Sequence, residues 1–418
     1  MTLTLVSHSP CSAALFGALA ATVAQAEGAV LMHLPADFQP EHGADSVQMV
    51  AARGALVPSG LLWYERLTGR EVLPASTVEQ IVDAARAFAV VVPWHGKFQV
   101  QSLHETLIEQ ASAAGVSIRH LLGRHQDGEW YLEDQHGLPT EHGRWCRDAF
   151  GRWVNTALVS RPSAARSPLV IALLGTQADQ LDVYPATLAA LGDAADAANI
   201  DLHIRFVSPV QLDLTLLDSV DGIVLPGGSD MGNVSGQIAA ARYALAANVP
   251  TVGLCLGMQS MTTAIAQTLP GLEQANMAEA APDTPIQSFI LMTGTPGLPT
   301  HRLGTQALNF RPSSLGDRLP HHPTIRCNHR FMLNPDITRT LINAGLKITA
   351  TDASGHIADA IDWPQHAFYQ GMQGHPELGS SAGKPHPLIE DFLRAVQASA
   401  SRKTKGFSTA DTLHQINH

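Results

Sequence analysis

One cysteine lies at a turn where its thiol could act as a nucleophile. Cys255 stands in a Gly-Leu-Cys-Leu-Gly run, between an apolar segment that ends at Leu254 and a predicted helix that begins near Met258. This order is the cysteine form of the strand–nucleophile–helix elbow, and the flanking glycines permit the sharp turn. The positive end of the helix dipole favours a thiolate there. Taken alone, the run also fits a buried structural cysteine.

A histidine and a glutamate two residues apart could serve that thiol. His375 and Glu377 belong to a Gly-His-Pro-Glu run that follows a strand-like segment at 367–370. A thiolate needs a base that takes and returns its proton, and the base needs a carboxylate that orients it. On an extended segment the two side chains would point to the same side. Because the chain contains 20 histidines, the tripeptide alone is a weak signal.

Glycines after another strand could stabilise an anion. The run Pro226-Gly227-Gly228-Ser229 directly follows the apolar segment 222–225. Glycines at a strand end can turn backbone N–H groups towards a developing negative charge. The N–H of Leu256 would be a second donor. A plain glycine turn is the alternative interpretation of this run.

Apolar runs alternate with helical patterns along both halves of the chain. The run 169–174 suits a buried parallel strand, and 203–207, 222–225 and 251–254 are also strand-like, with helices predicted between them. The N-terminal half shows the same alternation on a smaller scale. The pattern predicts an α/β fold with a mostly parallel sheet and flanking helices, plus a smaller N-terminal α/β domain.

Composition changes suggest where the domains meet. A Pro/Ser/Arg-rich stretch at 160–168 is typical of an exposed linker, and the polar residues after about 399 carry no periodic pattern. We therefore predict an N-terminal domain over 1–160, a linker over 161–168, a second domain over 169–398 and a flexible tail over 399–418.

Together and in this order, the three runs resemble those of the class I glutamine amidotransferases. The resemblance is strongest to the glutaminase domain of cytidine triphosphate synthase. Further runs of that domain have counterparts here: 171–175 with 182–184, 275–279, 302–304, 328–331, 386–388 and Phe392. The resemblance extends from about residue 168 to 398. It implies a flavodoxin-like sheet and an enzyme that hydrolyses the side-chain amide of glutamine, with no cofactor.

The resemblance also implies roles for individual residues. Each role is assigned only where the residue type matches. It gives a catalytic triad of Cys255, His375 and Glu377, oxyanion donors in the N–H groups of Gly228 and Leu256, and a substrate site formed by Gln259, Glu279, Arg330 and Ser229. Arg330 can pair with the α-carboxylate of glutamine and Glu279 can accept from its α-ammonium group. A surface ion pair is the alternative for Arg330.

The chain departs from cytidine triphosphate synthase in several places. The segment 229–236 lacks basic residues, so activation by guanosine triphosphate is not expected, and Gly374 stands where the family has phenylalanine. The N-terminal half is too short for the synthetase domain and contains no G-x-x-x-x-G-K-[ST] phosphate loop, so it is either a shortened relative that lost nucleotide binding or an unrelated module. We therefore expect ammonia to go to an unidentified acceptor, in a specialised biosynthetic pathway rather than in cytidine triphosphate synthesis.

Two other functions remain compatible with the same residues. One is hydrolysis of a γ-glutamyl conjugate instead of free glutamine, because the same triad cleaves such amides. The other is a catalytically silent regulatory or binding module that keeps the fold. The acceptor domain could be the N-terminal half or a separate synthase protein, and assembly into a homo-oligomer is left open.

Composition excludes several classes of partner. The net charge is −11 without a clustered basic face, which argues against nucleic acid and anionic membrane. Four cysteines without CxxC spacing predict reduced thiols in the cytoplasm.

The apolar stretch 13–26 lacks a preceding basic residue and is too short to span a bilayer, so we expect a buried helix rather than a signal peptide. No histidine spacing predicts a metal site; the candidates considered were His95, His104, His120, His125, His136 and His142.

Overall fold

The chain folds into two compact units. The computed structural model describes residues 2–9, 11–38, 48–158, 168–294, 298–321 and 323–414, with side chains as far as residue 402. The first unit combines Met1–Ser163 with Gln177–Ala189, and the second combines Ala164–Thr176 with Ala190–His418. Nearly all of the predicted linker, residues 161–167, lies outside the described residues.

Residues 177–189 belong to the first unit although the sequence analysis assigned them to the second domain. Two polar contacts tie this segment to the first unit. The Val183 carbonyl accepts from the Ser59 hydroxyl, and the Asp182 carboxylate accepts from Arg147 Nη1 at 2.8 Å. Neither contact has a signal in the local sequence pattern.

The first unit is built on a seven-stranded mixed sheet. The strands of the first unit, including two outside this sheet, are β1 (Thr2–His8), β2 (Val30–Leu31), β3 (Gln48–Val50), β4 (Leu56–Pro58), β5 (Val90–Trp94), β6 (Ser117–Gln126), β7 (Glu129–Glu133), β8 (Trp145–Arg147) and β9 (Trp153–Asn155). Its helices are α1 (Ala18–Glu27), α2 (Leu62–Thr68), α3 (Val78–Ala87) and α4 (Gln101–Ala113). The sheet order is β2-β5-β1-β6-β7-β8-β9, with β3 and β4 forming a separate pair.

The first four strands of that sheet are parallel and the last three are antiparallel. The apolar run in β5 suits a strand that is covered on both faces. Leu3 and Leu5 of β1 pack with α3 and α4 in one core. Thr77 caps α3 and forms a capping box with Gln80, which fixes where this helix begins.

The rest of the chain contains thirteen strands and six helices among the described residues. The strands are β10 (Leu169–Leu174), β11 (Leu202–Val207), β12 (Gly222–Leu225), β13 (Thr251–Leu254), β14 (Ala275–Met277), β15 (Ile286–Leu291), β16 (Arg302–Ala307), β17 (Asn309–Phe310), β18 (Thr324–His329), β19 (Phe331–Leu333), β20 (Lys347–Thr351), β21 (Ala358–Asp362) and β22 (Tyr369–Met372). The helices are α5 (Ala186–Ala198), α6 (Val234–Ala247), α7 (Leu256–Gln267), α8 (Ser314–Asp317), α9 (Pro335–Ala344) and α10 (Pro387–His414).

The main sheet of the second unit has the order β11-β10-β12-β13-β22-β21-β20-β17. Its first five strands are parallel and the remaining three add an antiparallel edge. Smaller sheets are β14-β15-β19 and β16-β18. The predicted α/β class, with a mostly parallel sheet, flanking helices and a smaller N-terminal domain, is confirmed. The carboxyl ends of β12, β13 and β22 meet at one edge, where the predicted site residues follow.

The C-terminal residues differ from the predicted tail. Helix α10 continues through residue 399 to His414. Residues 399–414 contain no proline, and the start of the helix is anchored by Leu388 and Phe392, which are fully buried. Extending an anchored helix avoids the cost of nucleating a new one. Among the described residues, no helix has both the length and the apolar character needed to cross a membrane.

Candidate functional site

Cys255 occupies a strained elbow between β13 and α7. Its backbone has φ 50° and ψ −109°, a conformation that L-residues rarely adopt. The helix begins directly after it, at Leu256 rather than near Met258 as predicted. Gly257 must be glycine, because a Cβ there would lie 1.9 Å from the Leu225 carbonyl oxygen. The close approach of strand and helix therefore holds the thiol at the start of α7, where the helix dipole favours a negative charge.

His375 and Glu377 are in direct contact, but not on an extended segment as predicted. Residues Pro376–Gly379 form a 3-10 helix, which Pro376 begins by fixing its own φ angle. The turn still brings His375 Nδ1 to 2.7 Å from Glu377 Oε1. The Glu377 side chain is fully buried and that of His375 is 12% exposed.

The His375 ring joins the carboxylate to the thiol. Burial alone would lower the pKa of His375, but the charge of Glu377, the charge of Cys255 and hydrogen bonds to both side chains raise this pKa well above its usual value. Since Nδ1 faces Glu377, Nε2 is the ring nitrogen left for Cys255. The arrangement favours a protonated imidazole beside the Cys255 side chain.

The turn after β12 lies against the side chains of Cys255 and His375. A Cβ on Gly227 would be 3.2 Å from His375 Cε1 and 3.4 Å from Cys255 Cβ, so only glycine leaves the two side chains undisturbed. Gly228 and Ser229 are exposed next to it. Within the part of the chain that the structure describes, the N–H groups of Gly228 and Leu256 donate no hydrogen bond. Both predicted oxyanion donors can therefore donate a hydrogen bond to an incoming anion.

Two buried glutamines connect the thiol to the interior. Gln373 Nε2 donates to Cys255 Sγ at 3.9 Å, and Gln259 Nε2 donates to Gln373 Oε1 at 3.4 Å. Gln259 Oε1 is buried and has no hydrogen-bond partner among the described residues. A buried polar atom without a partner is costly, so this oxygen is suited to accept from a ligand. The sequence analysis missed Gln373; its place two residues before His375 was the available signal.

Glu279 and Arg330 lie at one end of the three-stranded sheet. Glu279 follows β14, whose neighbour β15 runs parallel to it. Arg330 precedes β19, which runs antiparallel to β15, and its carbonyl accepts from Met292 N at 2.9 Å. The end of β14 and the beginning of β19 therefore flank the same end of β15. Both side chains are exposed there.

Contacts along helix α7 show where that end of the three-stranded sheet lies relative to Cys255. Gln267, at the end of α7, donates to the Ala275 carbonyl at 2.8 Å, where β14 begins. One helical turn earlier, Thr263 Oγ1 lies 2.7 Å from Ser288 Oγ of β15. Strand β14 therefore runs back along the helix, towards the turn that carries Gln259. This direction brings the Glu279 end of the sheet to the Cys255 end of α7.

A buried ionic cluster lies near the thiol and contains a possible set of metal ligands. Cys327, His329 and Asp359 place ligand atoms within 4.8 Å of one another. The guanidinium of Arg302 already occupies this space: its Nη2 donates to Asp359 Oδ2 at 3.0 Å and its Nη1 lies 3.3 Å from His329 Nε2. A metal ion would have to displace a buried cation, so these residues do not fit a metal centre.

The ionisation of the cluster agrees with that interpretation. Burial raises the pKa of the Cys327 thiol, and burial together with Arg302 lowers the pKa of His329 to about 3. His329 Nδ1 lies 2.9 Å from the Phe331 carbonyl oxygen, so neither ring nitrogen is available. The cluster is a bidentate ion pair with a neutral histidine and a neutral thiol beside it. The sequence analysis did not find it, because its members come from three strands.

The pair of His375 and Glu377 has a testable effect on the thiol. Glu377→Gln keeps a polar group of the same size but removes the charge that raises the pKa of His375. This pKa then falls, the imidazole is neutral over a wider range of pH, and it no longer stabilises a thiolate. We expect the pH profile of Cys255 alkylation by iodoacetamide to move to higher pH, as followed by mass spectrometry. Glu141→Gln, at an exposed position, is the control, and an unmoved profile in the Glu377 variant would contradict the coupling.

Comparison with known proteins places these residues in a family. The family model described as glutamine amidotransferase class-I matches residues 181–395. CTP synthase from Thermosynechococcus vestitus is 34% identical over 256 residues, which cover 59% of this chain and 47% of that protein. CTP synthase from Trichormus variabilis is 34% identical over 267 residues, which cover 60% of this chain and 48% of that protein.

A solved structure agrees with the sequence relatives. The glutaminase domain of the Trypanosoma brucei CTPS, solved with bound acivicin, superposes with a TM-score of 0.51 at 26% sequence identity. The match covers 55% of this chain and 94% of that chain. The present chain spans about half the length of the curated relatives it matches. Since the family model covers more than half of its residues, the chain belongs to the class I glutamine amidotransferases.

Proposed function

We propose that the protein hydrolyses the side-chain amide of glutamine through Cys255, His375 and Glu377, and supplies the ammonia to an acceptor. One observation carries this proposal. In a chain of this family, the His375 ring makes hydrogen bonds to both the Cys255 thiol and the Glu377 carboxylate. A structural cysteine has no need of a charged base, and the strained φ of 50° at Cys255 is typical of a functional position.

The geometry supports a two-step reaction. The Cys255 thiolate attacks the amide carbon, and the N–H groups of Gly228 and Leu256 stabilise the negative charge on the oxygen. His375 donates its proton to the leaving nitrogen, so ammonia departs and a γ-glutamyl thioester remains. Water then gives a proton to His375 and attacks the thioester. Glutamate leaves, and the Cys255 thiolate and the protonated His375 ring are restored.

The substrate site that we propose uses charges at both ends of the amino-acid group. Arg330 pairs with the α-carboxylate and Glu279 accepts from the α-ammonium group. Gln259 offers a buried oxygen that has no partner among the described residues, and Ser229 adds a hydroxyl beside the oxyanion turn. These positions favour a ligand with a free amino-acid end, which glutamine and γ-glutamyl amides share.

The acceptor of ammonia is a separate part of the proposal. The relatives named as CTP synthase are about twice the length of the matched region, and the Met1–Ser163 part of the N-terminal unit lies outside the family-model match. Its loop after β1 also lacks the lysine and the glycines of a phosphate loop. We therefore place the reaction in a specialised biosynthetic pathway, with the acceptor bound by the N-terminal unit or by a separate synthase.

The test is glutamine hydrolysis by the full-length protein, combined with chemical labelling. We expect glutamate and ammonia from L-glutamine, and modification of Cys255 by acivicin that glutamine prevents. A panel of γ-glutamyl amides is measured in parallel. Preference for one of these amides identifies a conjugate hydrolase, whereas an unlabelled Cys255 with no product from any substrate identifies a silent module. Either result would overturn the proposal.

A further inference from the structure

A buried glutamine side chain holds the start of the oxyanion turn, Gly227–Gly228. Pro226 is buried and lies beyond Leu225, where the pairing of β12 with β13 ends. Its carbonyl oxygen accepts a hydrogen bond from Gln237 Nε2 at 3.1 Å. Gln237 belongs to α6 and is 2% exposed. A side chain from a neighbouring helix therefore fixes the peptide group at which the turn begins.

The amide of Gln237 has a single orientation because both of its ends are bound. A carbonyl oxygen can only accept, so the amino group of Gln237 must face Pro226. On the other side, the Ser260 hydroxyl donates to Gln237 Oε1 at 2.9 Å. Ser260 belongs to α7 and is completely buried, so bulk water does not compete for this bond. A hydrogen-bond chain thus runs from Ser260 through Gln237 to the Pro226 carbonyl.

This hydrogen-bond chain restrains the two glycines that follow. The Pro226 carbonyl and the Gly227 N–H belong to one planar peptide group, so a fixed oxygen also fixes the direction of the N–H. Only the dihedral angles of Gly227 then separate the fixed group from the N–H of Gly228. Gly227 is already confined by the side chains of Cys255 and His375, which lie close beside it. Since glycine has wide conformational freedom, a turn of two glycines needs such outside contacts to present its N–H in one direction.

Glycines fix the places of the two helices in the hydrogen-bond chain. A Cβ on Gly236 would lie 1.9 Å from the Pro209 carbonyl oxygen, so α6 is in close contact with the segment after β11. Gly257 brings the start of α7 equally close to the carbonyl of Leu225. The N–H of Leu256, the second proposed oxyanion donor, lies at the start of the same helix. The hydrogen-bond chain therefore joins the two segments that carry the oxyanion donors.

The surroundings of the hydrogen-bond chain are apolar. One buried cluster contains Ile238 and Ala241 of α6 together with Met261 and Ala264 of α7. Apolar side chains could make the same contact between the helices, because replacing both partners of a buried hydrogen bond by apolar groups of similar shape is close to neutral for stability. The packing of the helices therefore requires neither an amide nor a hydroxyl here, whereas the buried Pro226 carbonyl requires a donor.

We propose that Gln237, oriented by Ser260, is a positioning residue for the oxyanion turn. It acts through the Pro226 carbonyl and keeps the Gly228 N–H directed to the oxygen that becomes negative when Cys255 attacks. The effect falls on the transition state, so it changes kcat more than the binding of glutamine. This inference rests on the proposed glutamine hydrolysis and adds a residue that the resemblance to the family does not assign.

The experiment measures kcat and KM for glutamine hydrolysis by the full-length Gln237→Met variant. Methionine is similar in length and suits a helix, but it cannot donate to the Pro226 carbonyl. We expect kcat to fall about tenfold or more, as part of the effect of an oxyanion donor, and KM to change less than about twofold. Alkylation of Cys255 by iodoacetamide forms no oxyanion and should keep its rate. Gln365→Met is the control, since it removes an exposed hydrogen bond of the same kind, to the Ala344 carbonyl, and should leave kcat unchanged.

A double variant separates positioning from folding. Gln237→Met leaves the Ser260 hydroxyl buried and unpaired, which should lower the Tm. Gln237→Met/Ser260→Ala removes that hydroxyl, so we expect it to regain part of the Tm without regaining kcat. Recovery of kcat together with the Tm, or equal kcat values for wild type and Gln237→Met, would overturn this inference alone. A wild-type protein that hydrolyses no amide would overturn the proposed function, and this inference with it.

Discussion

Replacing Cys255 by alanine is expected to reduce glutamine hydrolysis by about 10⁴-fold or more, because no other group can form the covalent intermediate. The oxyanion donors and the substrate contacts remain, so binding of glutamine should change little. Initial rates of glutamate release and a direct measurement of glutamine binding check the two halves of this prediction. Cys146→Ala is the matched control, since it removes a half-buried thiol in the N-terminal unit and should leave the rate unchanged.

The strained backbone at Cys255 allows a second test, in which thermal stability is measured. Cysteine is held at φ 50° and ψ −109°, which costs an L-residue about 1–3 kcal/mol and glycine much less. Cys255→Gly should therefore be as inactive as Cys255→Ala but more stable in thermal unfolding. A Cys255→Ala variant with substantial activity would show that another nucleophile acts. Equal stability of the glycine and alanine variants would show that the elbow is not strained.

Much of the fold could be predicted because its signals are local. The apolar run at 169–174 depends only on neighbouring residues, and β10 lies where the sequence indicated. The elbow at Cys255 was predictable for the same reason, because glycines at 253 and 257 leave few alternatives for a strand followed at once by a helix.

The site was less predictable where it depends on contacts between distant strands. The sequence placed His375 and Glu377 on an extended segment, whereas Pro376 starts a 3-10 helix that sets their contact. Gln373 reaches the thiol only because β22 lies beside β13. Arg302 and Asp359 are far apart in sequence, and the periodicity of a sequence does not predict a single ion pair between two strands.

That ion pair is the basis for the largest stability effect that we expect. The Arg302 and Asp359 side chains are 3% and 0% exposed, and the guanidinium contacts both carboxylate oxygens. Burial raises the pKa of Asp359 although Arg302 opposes the shift, so the carboxylate depends on its partner to stay charged. Asp359→Leu leaves an unpaired guanidinium in the interior, which should lower the free energy of unfolding of this unit by about 3–5 kcal/mol.

The double variant Arg302→Met/Asp359→Leu distinguishes this cause from a loss of packing. With both charges removed, the desolvation penalty disappears together with the attraction, so the double variant should be more stable than Asp359→Leu. Urea unfolding of the full-length variants provides the measurement. Arg394→Met, which removes an exposed partner of Asp391, should cost less than about 0.5 kcal/mol. A double variant less stable than Asp359→Leu would assign the effect to shape rather than charge.

The same variants should also affect the cysteine. Gln373 N donates to the Asp359 carbonyl at 2.8 Å, and the Gln373 side chain donates to Cys255 Sγ. Displacement of β21 by an unpaired Arg302 would therefore move the amide that contacts the thiol. We expect Asp359→Leu to slow alkylation of Cys255 in the folded protein, and the double variant to restore part of the rate. An alkylation rate that stays at the wild-type value in folded Asp359→Leu would confine the ion pair to a role in stability.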